Sequence, residues 1–256
     1  MPLLLIFVST LFTVLAYSVL RLIFLIWNHQ LYFSKPLSSL LWAFVVGLRF
    51  DLSAVMTLMA IPLLFSLILI SFSKLFLQKY KFSIQRMVIA GVCFFQLLGL
   101  VLCLGDAEFV NFLGRRFTFD ALFFLQEIPG KFWSTSATYW PLSLTALVFL
   151  FSYTWILWRW VPRLAQLLAD VSQQYVVRTW QKFLWVLVFV VVTVISARGG
   201  LQNKPINFAH SQVFAVPAMN NLVLNSSFSF IQTIRRQSLP RDHFFSNADE
   251  MLHLLN

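Results

Sequence analysis

Residues 52–72 read LSAVMTLMAIPLLFSLILISF, a run without a single charged side chain. As a helix it would measure about 32 Å, enough to cross a hydrocarbon core of about 30 Å. A helix that is apolar on every face has no place on the surface of a soluble domain. The run therefore reads as a transmembrane span, with Pro62 removing one backbone hydrogen bond inside it and predicting a kink. Composition extends that reading to the whole chain. Of 256 residues, 59% are hydrophobic and 11% charged, and the mean hydropathy is +0.80, whereas a soluble domain is roughly a quarter charged. This balance excludes a soluble enzyme, a disordered chain and a nucleic-acid-binding module, and two cysteines exclude a disulfide scaffold. The fold class is an all-α integral membrane protein.

Working outward, four further runs qualify as spans: Leu3 to Trp27, Met87 to Leu104, Trp140 to Trp158, and Phe183 to Ala197. Arg21 lies near one end of the first and is expected to reach the headgroups by snorkelling. That first run is also too long, and lacks the basic start, for a secretory signal peptide. Tyr139, Trp140, Trp155, Trp158 and Trp160 place aromatic rings near the ends of the fourth. The fifth covers only about 22 Å and needs Trp180 and Lys182 to snorkel, or a thinned bilayer. Cys93 and Cys103 fall on one helix about 15 Å apart, too far for a disulfide.

The net charge of +10 supplies the orientation. Lys74, Lys79, Lys81 and Arg86 follow the second span without an acid, and Arg159, Arg163, Arg178 and Lys182 follow the fourth against Asp170 alone. Both loops belong in the cytoplasm. Between the third and fourth spans, Asp106, Glu108, Asp120 and Glu127 outnumber Arg115, Arg116 and Lys131, so that loop faces outward. The N-terminus is then inside and the C-terminus outside. Residues 1–197 form the five-helix domain, and 198–256 an extracytoplasmic linker. Gly199, Gly200 and Pro205 mark the exit turn, and Pro217 with Asn220 and Asn221 opens a helix over about 219–236.

Leu37 through Phe72 would be about 54 Å long as one helix, so a break is expected at GLRFDLS, residues 47–53. Gly47 is a poor helix former, and Asp51 is placed to cap a helix starting at Leu52. Leu37 to Leu48 becomes an interfacial or re-entrant segment. Arg49 and Asp51 are two apart, point to different faces and need partners elsewhere. One reading is a polar cavity holding an anionic lipid phosphate on Arg49; the other is capping and interhelical pairing. The Phe-rich stretch 105–133 should lie along the membrane surface, with Arg115 and Arg116 either gripping lipid phosphates or acting as generic anchors. Asp106 and Glu108 lack His or Cys partners at ligand spacing, and His210, His243 and His253 are scattered, so no metal site is expected. Asn225-Ser226-Ser227 matches a glycosylation acceptor, a pattern common by chance.

GLRFDLS at 47–53, DAEFVNFLGRRFTFD at 106–120, RGGLQNKPIN at 198–207 and NNLVLNSSFSFIQT at 220–233 together resemble the N-terminal membrane domain of lipoteichoic acid synthase-like proteins, the phosphoglycerol transferase and sulfatase group. The resemblance implies a multi-pass protein of the bacterial cell (inner) membrane. In that family five helices precede a linker and an extracytoplasmic catalytic domain of alkaline-phosphatase type. There a threonine nucleophile and manganese or magnesium transfer glycerol phosphate from phosphatidylglycerol. No residue here matches that nucleophile or its metal ligands, so none is carried over. The resemblance implies a membrane anchor truncated before its catalytic domain and inactive alone, with no cofactor of its own. Its partners would be the bilayer, anionic lipid such as phosphatidylglycerol, and a catalytic domain. Arg49, Asp51, Arg115, Arg116 and Arg198 are the candidate headgroup contacts. The alternative is a non-enzymatic scaffold for a separately encoded envelope enzyme.

Overall fold

The computed structural model describes residues 2–70, 79–119, 137–173 and 179–234, among which there is no strand. The helices are α1 (Pro2–Trp27), α2 (His29–Tyr32), α3 (Leu37–Ile70), α4 (Lys81–Leu113), α5 (Trp140–Arg159), α6 (Val161–Gln173), α7 (Thr179–Arg198), α8 (Pro217–Val223) and α9 (Ser226–Ile234), with a 3-10 turn at Phe208–Ser211. Among these residues, Leu3–Trp27, Leu37–Leu69, Lys81–Leu113 and Trp140–Asp170 are long and apolar enough to cross a membrane, and Phe183–Arg198 is a shorter apolar helix. The protein is a multi-pass membrane protein.

The centre is a trio: α1, α3 and α4 pack on one another, α7 lies on α3, α5 on α4, and α6 on α1 and α5. Tyr17, Leu20, Val55, Met59, Val88, Val92 and Leu100 fill the space between the trio, and α5 and α6 add Leu157, Val161 and Ala165. The outward faces are equally apolar, with Leu11, Leu15, Ile26, Leu41 and Val45 exposed. Lipid tails are as apolar as leucine, so transfer from water cannot hold such helices together; packing and interhelical hydrogen bonds do. Two such bonds are deep in the bundle. Thr13 Oγ1 and the Tyr153 hydroxyl meet at 2.9 Å, joining α1 to α5, and Gln96 Nε2 donates to the Val55 carbonyl at 3.0 Å, joining α4 to α3.

The expected break at GLRFDLS does not occur. α3 continues through Gly47, Arg49, Asp51 and Pro62 to Ile70, so Leu37 to Leu48 is not a separate segment that turns back and Asp51 caps nothing. At about 50 Å the helix exceeds the hydrocarbon by several turns, and it packs against α8 and α9 through Ala43, Phe50 and Ala54. Both charges find partners on other segments, Arg49 at the Gly199 carbonyl and Asp51 at Arg21 and Asn225. α4 likewise runs well past the expected Leu104 to Leu113. The stretch from Gly105 is therefore a helix end rather than a surface strip as far as Leu113. Residues 71–72 of the second span, Asp120, Glu127 and Lys131, and everything from Arg235, with His243 and His253, lie outside the described residues.

The single helix expected over about 219–236 is two. Leu224 is extended, with φ −72° and ψ 155°, and Asn225 starts α9 by accepting the Phe228 N–H at 2.7 Å on its side-chain oxygen. The exit turn is where the glycines place it: Gly199 and Gly200 have φ of 82° and 127°. The loop after α5 contains α6, whose Val161 and Ala165 are fully buried, an apolar face at helical spacing.

Candidate functional site

At one end of the bundle the C-terminal part of α1, the N-terminal half of α3, the end of α4, the start of α5 and the segment 199–234 converge around Phe24, Tyr32, Phe50, Val110, Leu222, Val223 and Phe228. Two buried ion pairs sit in this apolar setting. Arg21, 4% exposed, meets Asp51 Oδ1 at 2.5 Å. Its guanidinium also donates to the Gly47 carbonyl at 3.1 Å, the Val223 carbonyl at 2.5 Å and the Leu222 carbonyl. Asn225 Nδ2 donates to the same Asp51 oxygen at 2.7 Å. Arg21 therefore does not snorkel. Reaching the headgroups would hydrate one charge and strand the other, whereas pairing inside serves Asp51 and two helix-end carbonyls at once. Gly47 is what admits it, because a Cβ there would occupy the space of the guanidinium.

The second pair joins Asp106 and Arg116 at 2.5 Å. The chain leaves α4 through Gly114 in the left-handed region, φ 66°, and doubles back so that the Phe117 N–H reaches Asp106 Oδ1 at 2.6 Å. Arg116 Nε donates to the Asn221 carbonyl at 2.7 Å, and the guanidinium covers the Phe24 ring at 3.6 Å. Asn221 returns the contact by donating to the Gly114 carbonyl at 2.8 Å. Burial pushes the nearby Tyr32 phenol up to about 12, so it stays protonated and donates to the Ala218 carbonyl at 3.0 Å. Glu108 accepts from Trp27 Nε1 at 2.8 Å. His210 serves the capping of the 3-10 turn with Asn207. Among the described residues no group of three His, Cys, Asp or Glu side chains is placed to hold a metal ion.

No protein-family model, curated protein or solved structure matches this chain.

The candidate residues thus divide. Asp51 and Arg116 are interior and engaged. Arg49 and Arg198 come together at the exit turn: Arg49 Nε donates to the Gly199 carbonyl at 2.5 Å and its Nη2 to the Gln202 side chain, while Arg198 donates to the Asn203 carbonyl at 2.5 Å and the Gln202 carbonyl at 3.2 Å. Both arginines are exposed, as is Arg115. Beside the turn, Ser53 Oγ donates to the Ala197 carbonyl at 2.6 Å, tying α3 to α7. Below it a groove of about 410 Å³ runs between α3, α7 and α9, with Ser53, Thr193 and Arg198 at the polar end and Leu63, Leu67 and Val190 along its apolar length.

The sequence reads Arg21 as a snorkelling residue, Asn221 as part of a helix entry and Asn225 as a glycosylation match; the structure brings all three into the site. A lone cation in one span and a lone acid in another are a findable signal, since each needs a partner within the bundle. Nothing in the sequence marks Asn225 as the third member. The glycosylation pattern there is buried, with Asn225 5%, Ser226 0% and Ser227 1% exposed. Ser227 instead links three helices, donating to the Gly99 carbonyl at 2.8 Å and accepting from the Tyr17 hydroxyl at 2.9 Å. Ser227→Ala strands the buried phenol, and we expect a loss of about 1–3 kcal/mol, measurable as a lower thermal midpoint in detergent. An unchanged midpoint would mean that α9 is not held through this hydroxyl.

Proposed function

We propose that this chain is the membrane domain of a lipoteichoic acid synthase-like phosphoglycerol transferase of the bacterial cell membrane, holding an anionic phospholipid at the outer leaflet for a catalytic domain. The observation that carries the reading is the groove between α3, α7 and α9, apolar along its length and ending at Arg198. Its form suits acyl chains between the helices and a phosphate beside a guanidinium. In this reading α7 is the fifth span, and its 20 residues match the hydrocarbon at about 30 Å. The polar end with residues 199–234 faces outward. The opposite end carries Lys79, Lys81, Arg86, Arg159 and Arg163 against Asp170, as the cytoplasmic side requires. The family's manganese or magnesium and its nucleophile belong to the catalytic domain; this domain's residues bind and orient.

The test has two arms. A reporter active only outside the cytoplasm is expected to work when fused after Asn256 and to fail when inserted at Lys79; a cytosolic signal at Asn256 refutes the orientation. In nanodiscs, phosphatidylglycerol carrying a photoreactive acyl chain is expected to label the groove walls. Arg198→Glu should lower that labelling by about tenfold, the effect of losing a charge-assisted contact. Equal labelling of wild type and variant removes the groove from the account.

A further inference from the structure

A second site lies at the other end of the bundle. There the first turns of α4 and the junction of α5 with α6 leave a cleft of about 350 Å³. Arg86 lines it from α4, and Arg159 and Arg163 line it from either side of the junction. Among the described residues no acid lines it, and none of the three guanidinium groups has an ion-pair or hydrogen-bond acceptor. Arg163 contacts the Trp160 ring at 5.8 Å instead. All three are exposed, and guanidinium groups lining one cleft give it a positive field that concentrates anions.

Gln85 supplies the independent sign of a ligand. It lines the same cleft, is 4% exposed, and its Nε2 has no hydrogen-bond partner among the described residues. Buried donors are nearly always satisfied, so an orphan amide on a residue that lines a cation-rich cavity asks for an acceptor there. α4 also begins at Lys81 without a side-chain cap, leaving the positive end of a 33-residue helix close by. Phe82 and Trp158 add apolar walls.

We propose that this cleft is a binding site for a phosphate group carried by a lipid. The three arginines hold the phosphate oxygens, Gln85 Nε2 donates to one of them, and Phe82 and Trp158 lie against the glycerol and first methylenes. Arginine's forked donors match phosphate geometry, and the dianionic charge of a monoester offsets the gathered cations. This site is separate from the α3–α7–α9 groove and holds whichever leaflet each end faces.

The test titrates the full chain in zwitterionic detergent by calorimetry with dioctanoyl phosphatidate, inorganic phosphate and dioctanoyl phosphatidylcholine. Saturable binding of phosphatidate but not phosphatidylcholine is expected. Gln85→Leu removes no charge and should weaken it about fivefold, and the triple variant R86Q/R159Q/R163Q by about a hundredfold or more. K79Q/K81Q removes two charges at the same end outside the cleft and should change affinity less than about twofold. Equal affinity for inorganic phosphate, with the same variant pattern, keeps the anion site but assigns it to a free phosphate. No saturable binding of either anion overturns the proposal. So does an equal loss from K79Q/K81Q, or an indifferent Gln85→Leu whose thermal midpoint shows it folded.

Discussion

Arg21→Met is expected to destabilise the bundle by about 3–5 kcal/mol, the cost of leaving a buried carboxylate without its cation. Asp51 is fully buried, and its remaining partner, the Asn225 amide at 2.7 Å, is neutral. The same substitution frees the Leu222 and Val223 carbonyls, so the loss reaches α8 and α9. Two measurements separate these parts. The midpoint of unfolding in a denaturing-detergent titration reads the whole. Protease cleavage within residues 212–216 reads release of the C-terminal segment. The double variant R21M/D51L removes both charges and should regain most of the midpoint while cleavage stays fast, because the two carbonyls still lack their donor. If R21M melts with wild type, this ion pair does not organise its end of the bundle.

Gly47→Ala should destabilise by about 2 kcal/mol or more, against the usual sign. In a helix interior alanine is better than glycine by about 1 kcal/mol. Gly47, however, faces the Arg21 guanidinium where a Cβ would sit, and the added carbon must displace a paired charge from a packed site. Gly91 is the control. It lies inside α4 with nothing within 4 Å of the same hypothetical carbon, so Gly91→Ala should be neutral or stabilising by up to about 1 kcal/mol. The two variants should therefore shift the melting midpoint in opposite directions. A shift in the same direction would show that helix propensity, not the Arg21 slot, governs position 47.

The contrast at Gly47 shows where sequence reading stops. Glycine beside Arg49 and Asp51 looks like a helix break when only α3 is in view, and the inference is sound for an isolated segment. With α1 alongside, the same glycine becomes the gap through which a cation reaches an acid 30 residues away. The reading that Arg49 and Asp51 could not serve each other was legible, since residues two apart on a helix point away from each other. Their partners were not, for the Asn225 amide is 174 residues from Asp51. Likewise the sequence shows Asp106 and Glu108 only as acids, and their roles follow from the turn at Gly114 and from Trp27 on another helix. The α5–α6 cleft was legible only as charge: Arg86, Arg159 and Arg163 marked one face of the membrane, and only folding brought them to one cavity with Gln85.

The amino-acid order alone determined that this is a helical multi-pass membrane protein, and where four of its apolar helices fall. Length of an apolar run against bilayer thickness is a one-dimensional test, met residue by residue along the chain. The tertiary structure decided that residues 37–70 are one helix, that 217–234 are two, and that Arg21 turns inward. Those outcomes depend on whether a charge or an amide finds a partner, and in a low-dielectric interior the partner, which comes from a distant part of the chain, is worth more than the local preference it overrides.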